Sequence, residues 1–229
     1  MKIDLVHYLR GRYQERNKQI SDPGPVVTIS REAGCPAKKI TQRLTEVLNK
    51  HYHTENKKEI WKWIGKEIFE EAAKELELEP AEVQRVFKEK RNVIDEFLSS
   101  QAQRFYKSDR TVRKTIGEVI RSMANDGHVI ILGRGGVAIT KDIPRSFHVY
   151  LEAPMDWRAS IISEKEGCTI NEAIKYAQET DKRREQYREY FHGKGTDYTW
   201  FDVRINCMSF DVEEIVESIF KMLLIRKLI

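Results

Sequence analysis

At 229 residues, 40% of them hydrophobic and 33% charged, the chain is long enough for one domain with helical insertions and too apolar to remain disordered. A formal net charge of +4 is mild: it suits anionic substrates such as nucleotides and does not exclude nucleic acid. Three cysteines, Cys35, Cys168 and Cys207, lack metal-ligand spacing and read as free thiols of a reducing cytosol; with an amino terminus too polar for a signal peptide and no apolar run long enough to span a bilayer, a cytoplasmic protein without membrane contact is expected.

Residues 1–20 predict an amphipathic helix with Leu5, Tyr8, Leu9 and Tyr13 on one side, ended by the hinge Ser21-Asp22-Pro23-Gly24-Pro25. A first core strand is expected at about 26–30, from Val26-Val27-Thr28-Ile29, then a polar turn and a helix from near Ala37 to about Asn49. The middle reads as helical. Ile60, Trp61, Ile64, Ile68 and Ala72 recur at helical spacing within 57–78, and Pro80 opens a helix running to about Tyr106. Ser108-Asp109 caps a third helix that Asn125-Asp126-Gly127 ends. Strands return at 128–132 and 146–151, followed by helices at about 154–165 and 169–192, a last strand at 201–206 and a closing amphipathic helix at 212–224. Strands separated by long helices imply parallel β-α-β units, which bind ligands at the carboxyl ends of their strands. Two basic loops stand at such ends, 30–39 and 133–136.

In the first loop, backbone N–H groups at a helix start face an anion, Gly34 permits a backbone shape other residues resist, and Arg31, Lys38 and Lys39 supply charge. The pattern G-x-x-x-x-G-K-[ST] nevertheless fails. One glycine is present, and Ala37 or Lys38 stands at the lysine position, so on motif grammar alone an ordinary strand-to-helix turn is the stronger reading. In the second loop, Gly133-Arg134-Gly135-Gly136, the glycines let backbone approach a ligand while Arg134 grips phosphate; the bland alternative is a tight turn with an exposed arginine. In 179–191, Asp181, Arg184 and Arg188 share one helix face, either clamping a phosphoryl group or bracing a solvated helix through Asp181–Arg184 and Glu185–Arg188 pairs. The histidines show no ligand spacing, and zinc or serine-hydrolase motifs are missing.

Taken in order, Ser30-Arg31-Glu32-Ala33-Gly34-Cys35-Pro36-Ala37-Lys38-Lys39-Ile40, the segment ILGRGG, FHVYLEAPMDWRA and TDKRREQYREYF followed by FDVRIN resemble the cytidylate kinase-like family, a branch of the P-loop nucleoside monophosphate kinases, over about residues 26–220. The resemblance implies an α/β, three-layer P-loop NTPase fold with a parallel sheet, a helical monophosphate-binding insertion at about 55–115 and a helical lid at about 154–195, within a domain 25–229 preceded by an extension 1–24. It implies transfer of the ATP γ-phosphoryl group to a nucleoside monophosphate, CMP or dCMP first, with ATP and Mg²⁺ as cofactors. It assigns Arg31, Ala33, Gly34, Cys35, Ala37, Lys38 and Lys39 to the ATP phosphates, Lys38 or Lys39 replacing the loop lysine, and Lys38, Arg134 and Arg184 to catalysis. Arg134, Asp181 and Arg184 would hold the acceptor, Asp181 at its sugar, and Arg158 and Arg188 would close from the lid.

The departures from the family pattern fall on specific functions. Ala37 occupies the loop-lysine position, Lys39 the metal-binding Ser/Thr position and Pro36 that of a glycine, with Thr41 or Glu32 as possible substitutes toward the metal. Gly135 replaces an aspartate that helps read cytosine, and Ala177 replaces an arginine. Phosphate-gripping positions thus survive better than base-reading ones. The rival expectations are a non-catalytic nucleotide-binding protein on the same fold and, ranked below it, a nucleic-acid-binding module; the metal ligands and the oligomeric state are left open.

Overall fold

A computed structural model of the chain describes residues 23–65, 68–76, 78, 109–193, 195 and 197–229. The helices expected at 1–20 and 80–106 lie outside the described residues. Five strands, β1 (Val26–Arg31), β2 (Lys62–Ile64), β3 (Val129–Leu132), β4 (Ser146–Glu152) and β5 (Val203–Asn206), form one sheet in the order β2-β3-β1-β4-β5, every pair parallel. The helices are α1 (Ala37–Thr54), α2 (Ile68–Leu76), α3 (Asp109–Asp126), α4 (Gly136–Thr140), α5 (Met155–Glu166), α6 (Ile170–His192) and α7 (Val212–Ile225), with a 3₁₀ turn at Tyr198–Trp200.

The central strands are near-continuous apolar runs because parallel strands are covered on both faces. Val27 and Ile29 of β1, Ile130 and Leu132 of β3 and Phe147, Val149 and Leu151 of β4 share a core with Ile40, Leu44 and Leu48 of α1 and Ile215, Val216, Ile219 and Leu223 of α7. Alternate positions point to the other face, where Thr28 Oγ1 and His148 Nδ1 hydrogen-bond at 2.8 Å and Tyr150 packs on Val137 and Phe201. β1 pairs with β3 from Val26↔Val129 and with β4 from Val26↔Ser146, so the loops after β1, β3 and β4 emerge side by side.

Residues 23–65 and 121–229 form one compact unit, and the described residues within 66–120 belong to a second. In the second, Ala72, Ala73 and Leu76 of α2 and Val112, Ile116 and Ile120 of α3 are buried at helical spacing.

The helical reading of 57–78 is corrected. α1 runs on to Thr54, past the expected end at Asn49, and the chain then returns to the sheet as β2, in register with β3 from Lys62↔Val129; a helix resumes only at Ile68. Asn49 clasps the return, its Nδ2 donating to Trp61 O at 3.0 Å and its Oδ1 accepting from Trp61 N at 2.7 Å. Trp61 is buried edge-on to Tyr52 and His128, while Ile60 is 67% exposed, so the apparent helical stripe is a coincidence of spacing.

Candidate functional site

The segment after β1 is a turn shaped by its own backbone. Glu32 N donates to Leu151 O at 2.9 Å, which carries the β1–β4 pairing one residue further. Cys35 N then reaches back to Glu32 O, and α1 opens at Ala37 behind Pro36. Pro36 provides neither a side-chain cap nor an N–H, and the first turn of α1 carries no acid. A helix start in that state leaves N–H groups and the positive end of the dipole available to an anion. Gly34 has φ +92°, and a Cβ there would lie 3.0 Å from Arg158 Cβ and from Arg158 O, so the turn is seated directly on α5.

That seat is ionic. Arg158, expected as a lid arginine, is 5% exposed and is spent beneath the turn. Its Nε donates to Ala153 O (2.9 Å) and lies 3.3 Å from Glu32 Oε2; its Nη1 donates to Ala33 O (3.2 Å) and to Asp181 Oδ2 (2.6 Å). Asp181, expected at the acceptor sugar, accepts from Ala33 N at 2.7 Å through Oδ1. Glu32, a candidate toward the metal, accepts from Ala153 N at 3.1 Å. Ala33 is buried with Ala159, Ile162, Ala173 and Ala177, so α5 and α6 meet the turn through small residues. Ala177 is fully buried there, which accounts for the missing arginine: a long cation has no room at that contact.

Above the turn, cations from three segments converge. Arg31, at the end of β1, lays its guanidinium over Gly133; a Cβ on Gly133 would sit 2.0 Å from Arg31 Nη1. Burial, and then the charges of Arg184, Arg134 and Arg188, bring the Arg31 pKa down to about 9, against the pull of Asp181. Arg184 donates to Arg31 O at 3.1 Å and pairs with Asp181 at 3.4 Å, and burial lowers its pKa also. Arg188 is buried, its guanidinium carbon 6.0 Å from the Tyr150 ring centre. Gly133, Arg134 and Gly135 have φ of +73°, +56° and +68° in succession, a left-handed run that only a glycine-rich turn sustains cheaply.

Lys38 and Lys39 are exposed on the first turn of α1, and the Ala37 side chain is buried. Thr41 is fully buried and donates its hydroxyl to Ala37 O at 2.7 Å. Among the described residues at the turn, the Mg²⁺ implied by the resemblance therefore meets no fitting donor set: Lys39 holds the Ser/Thr position, Thr41 faces inward and the Glu32 carboxylate is engaged by Arg158 and Ala153. Among the described residues no group of three or more His, Cys, Asp or Glu could hold a metal ion.

Arg31, Lys38 and Lys39 are equivalent as cations of one basic loop in the sequence, and only the place of Arg31 at the last position of a buried strand sets it apart. The seat that Gly133 provides for it lies more than a hundred residues away in the chain and leaves no local signal.

The sequence model of the cytidylate kinase-like family matches residues 26–208. No curated protein matches the chain. Among solved structures, an uncharacterized protein from Eubacterium ventriosum is similar in fold, at 20% identity over 86% of this chain and 97% of its own, with a TM-score of 0.60. Shikimate kinase from Bacteroides thetaiotaomicron is 11% identical over 87% of this chain and 98% of its own, with a TM-score of 0.47. Shikimate kinase from Acinetobacter baumannii, in complex with shikimate, is 11% identical over 91% and 97%, with a TM-score of 0.47.

Proposed function

The chain belongs to the cytidylate kinase-like family, and on that premise we propose that it transfers the γ-phosphoryl group of ATP to a nucleoside monophosphate, with CMP or dCMP as the first acceptors to test. The observation that carries the reading is the convergence of Arg31, Arg134, Arg184 and Arg188 beside an uncapped helix start, with Asp181 as the acid set against them. Phosphoryl transfer passes through a loose transition state with charge spread over the equatorial oxygens, and its catalysis is mostly positioning and charge neutralisation. Guanidinium groups suit that task because each forks two N–H donors toward phosphate oxygens.

In this reading the turn at Gly34 and the N–H groups of Lys38 and Lys39 at the start of α1 receive the ATP phosphates, and Arg134 and Arg184 hold the acceptor phosphate. Arg31 takes the part of the absent loop lysine in preference to the exposed Lys38 and Lys39. Asp181 and Arg158 act by holding Ala33 in place, and any divalent cation arrives with the nucleotide.

A second reading, ATP binding without turnover, is favoured by the buried Ala37 and the inward-facing Thr41. One experiment separates the two. The protein is incubated with Mg-ATP and CMP, dCMP, UMP, AMP or GMP in turn, and ADP is followed. Turnover on one acceptor that collapses in Arg184→Ala supports transfer. ATP binding with no ADP from any acceptor replaces transfer with the non-catalytic reading. Oligonucleotide binding that falls steeply with salt would favour a nucleic-acid module over both.

A further inference from the structure

The amino end of the sheet carries a cavity that the nucleotide reading does not use. It measures about 450 Å³, a size that encloses small metabolites, and it lies where β4 and β5 begin, at the other end of the strands from the loops 30–39 and 133–136. The segment after α4, the 3₁₀ turn before β5 and Arg226 at the end of α7 surround it, with Ile143, Pro144 and Trp200 as the apolar part of the wall. His148 of β4 lines the same cavity and is 4% exposed; its Nε2 is buried and has no hydrogen-bond partner among the described residues. A buried nitrogen in that state is destabilising unless something in the cavity answers it. The other ring nitrogen, Nδ1, hydrogen-bonds with Thr28 Oγ1 at 2.8 Å. If the Thr28 hydroxyl donates, Nε2 carries the ring hydrogen and donates; if Nδ1–H donates, Nε2 accepts. A ligand hydroxyl satisfies either tautomer. Burial lowers the pKa of the ring to about 4, so at neutral pH the imidazole attracts no anion by charge.

Charge comes from elsewhere in the wall. Asp142 is taken by Arg121, whose Nη1 donates to Oδ1 at 2.8 Å and Nη2 to Oδ2 at 2.6 Å. Asp202 accepts from His148 N at 2.7 Å and from Arg226 Nη1 at 3.0 Å. Each carboxylate of the wall thus has its arginine. Lys141 makes no ion pair with a carboxylate among the described residues: its ammonium sits 4.2 Å from the Trp200 ring centre and 2.9 Å from His192 Nδ1. One cation over balance matches a single negative charge, whereas a dianion such as a phosphate ester would set a second charge against Asp142 and Asp202. We propose that this cavity is a binding site for a small hydroxycarboxylic acid: its carboxylate pairs with Lys141, its short hydrocarbon body lies on Ile143, Pro144 and Trp200, and its hydroxyl meets His148 Nε2. The site is separate from the cluster of Arg31, Arg134 and Arg184 and does not depend on the nucleotide reading.

Full-length protein labelled with the heavy nitrogen isotope is titrated with glycolate, gamma-hydroxybutyrate and para-hydroxybenzoate, each set beside acetate, butyrate or benzoate, which lack the hydroxyl. Long-range proton–nitrogen spectra resolve the six imidazoles, and His148→Asn identifies one of them by its loss. At least one hydroxy acid is expected to move the His148 Nε2 resonance saturably and to bind about tenfold more tightly than its partner without the hydroxyl. Its affinity is expected to fall about fivefold in Lys141→Gln, at an exposed position that serves, with calorimetry, if His148→Asn does not fold. No response to any of the three acids, equal affinities with and without the hydroxyl, or binding untouched by Lys141→Gln would each overturn the site and leave a solvent-filled cleft. Inorganic phosphate binding more tightly than the acids at the same imidazole would overturn the choice of a monocarboxylate. Inorganic tripolyphosphate, the probe for the arginine cluster, is expected to leave the His148 resonance and the affinity for the acid unchanged; competition between the two would overturn the separation of the sites.

Discussion

Asp181 serves three donors with one carboxylate: the Ala33 N–H, Arg158 Nη1 and Arg184 Nη1. Removing it leaves a nearly fully buried guanidinium with Glu32 as its remaining acid and strips Ala33 N of its acceptor, both of which are costly in a desolvated place. Asp181→Ala is therefore expected to lower stability by about 2 kcal/mol in urea unfolding without any nucleotide, the value discounted because the carboxylate is partly exposed. Asp181→Asn, which keeps an acceptor for Ala33, should cost less. Unchanged stability with a loss of nucleotide affinity alone would return Asp181 to the sugar contact expected from sequence. Gly133 offers a complementary case. A methyl group there occupies the position of Arg31 Nη1 in a backbone with φ +73°. Gly133→Ala should cost about 1 kcal/mol for the left-handed residue and weaken tripolyphosphate binding at least tenfold by expelling the guanidinium. Calorimetry that finds the affinity intact would remove Arg31 from the anion site. At this scale the sequence was informative about residue types more than about partners. The shared face of Asp181, Arg184 and Arg188 follows from helical spacing, whereas the anchoring of Asp181 on Ala33 joins residues 148 positions apart and leaves no local trace.

The α6 helix shows how an element turns local rules into placement. Its start is set by a capping box, with Thr169 Oγ1 accepting from Glu172 N and the Glu172 carboxylate accepting from Thr169 N. Its first half packs Ala173 and Ala177 against α5, and its second half delivers Asp181, Arg184 and Arg188. Because the cap is exposed and remote from the arginines, Thr169→Ala is expected to lose about 1 kcal/mol of stability while tripolyphosphate affinity stays the same. A drop in affinity larger than the stability loss explains would mean that the register of α6, and not its far half alone, is tuned by the cap. The strong elements of this kind were legible. The runs of β1, β3 and β4 and the boundaries of α5, α6 and α7 follow from apolar pattern, caps and glycines. β2 was not, because three residues give no period to detect and Trp61 imitates a helical stripe. What identifies β2 is its ladder with β3 and the Asn49 clasp, both products of the tertiary fold.

Across the whole molecule, stability and anion binding make opposite demands on charge. The carboxyl ends of the strands concentrate guanidinium groups, which a bound polyanion would relieve, while the opposite face of the central strands has to keep a titratable ring neutral. His148 on β4 is 4% exposed, bonded through Nδ1 to Thr28 of β1, with its Nε2 buried and without a partner. Burial lowers its pKa to about 4, against the pull of Asp202 and with a smaller push from Arg226. In the unfolded chain the same imidazole titrates near its ordinary value of 6.5. Between these values the unfolded state takes up a proton that the folded state refuses, so stability is complete above about pH 6.5 and is lost as pH falls toward 4. The loss from this group amounts to roughly 3 kcal/mol over the window. Carboxylates titrating in the same range add their own slopes, so the informative quantity is a difference between proteins. His148→Asn keeps an acceptor near the Thr28 hydroxyl and cannot ionise; it should be less stable than the parent at pH 7 for lost packing, yet fall less steeply between pH 7 and 4.5. Urea unfolding curves at a series of pH values measure both slopes. Parallel slopes would show that the imidazole takes up its proton in the folded protein as readily as in the unfolded chain, and that the contact between β1 and β4 is looser than its geometry indicates.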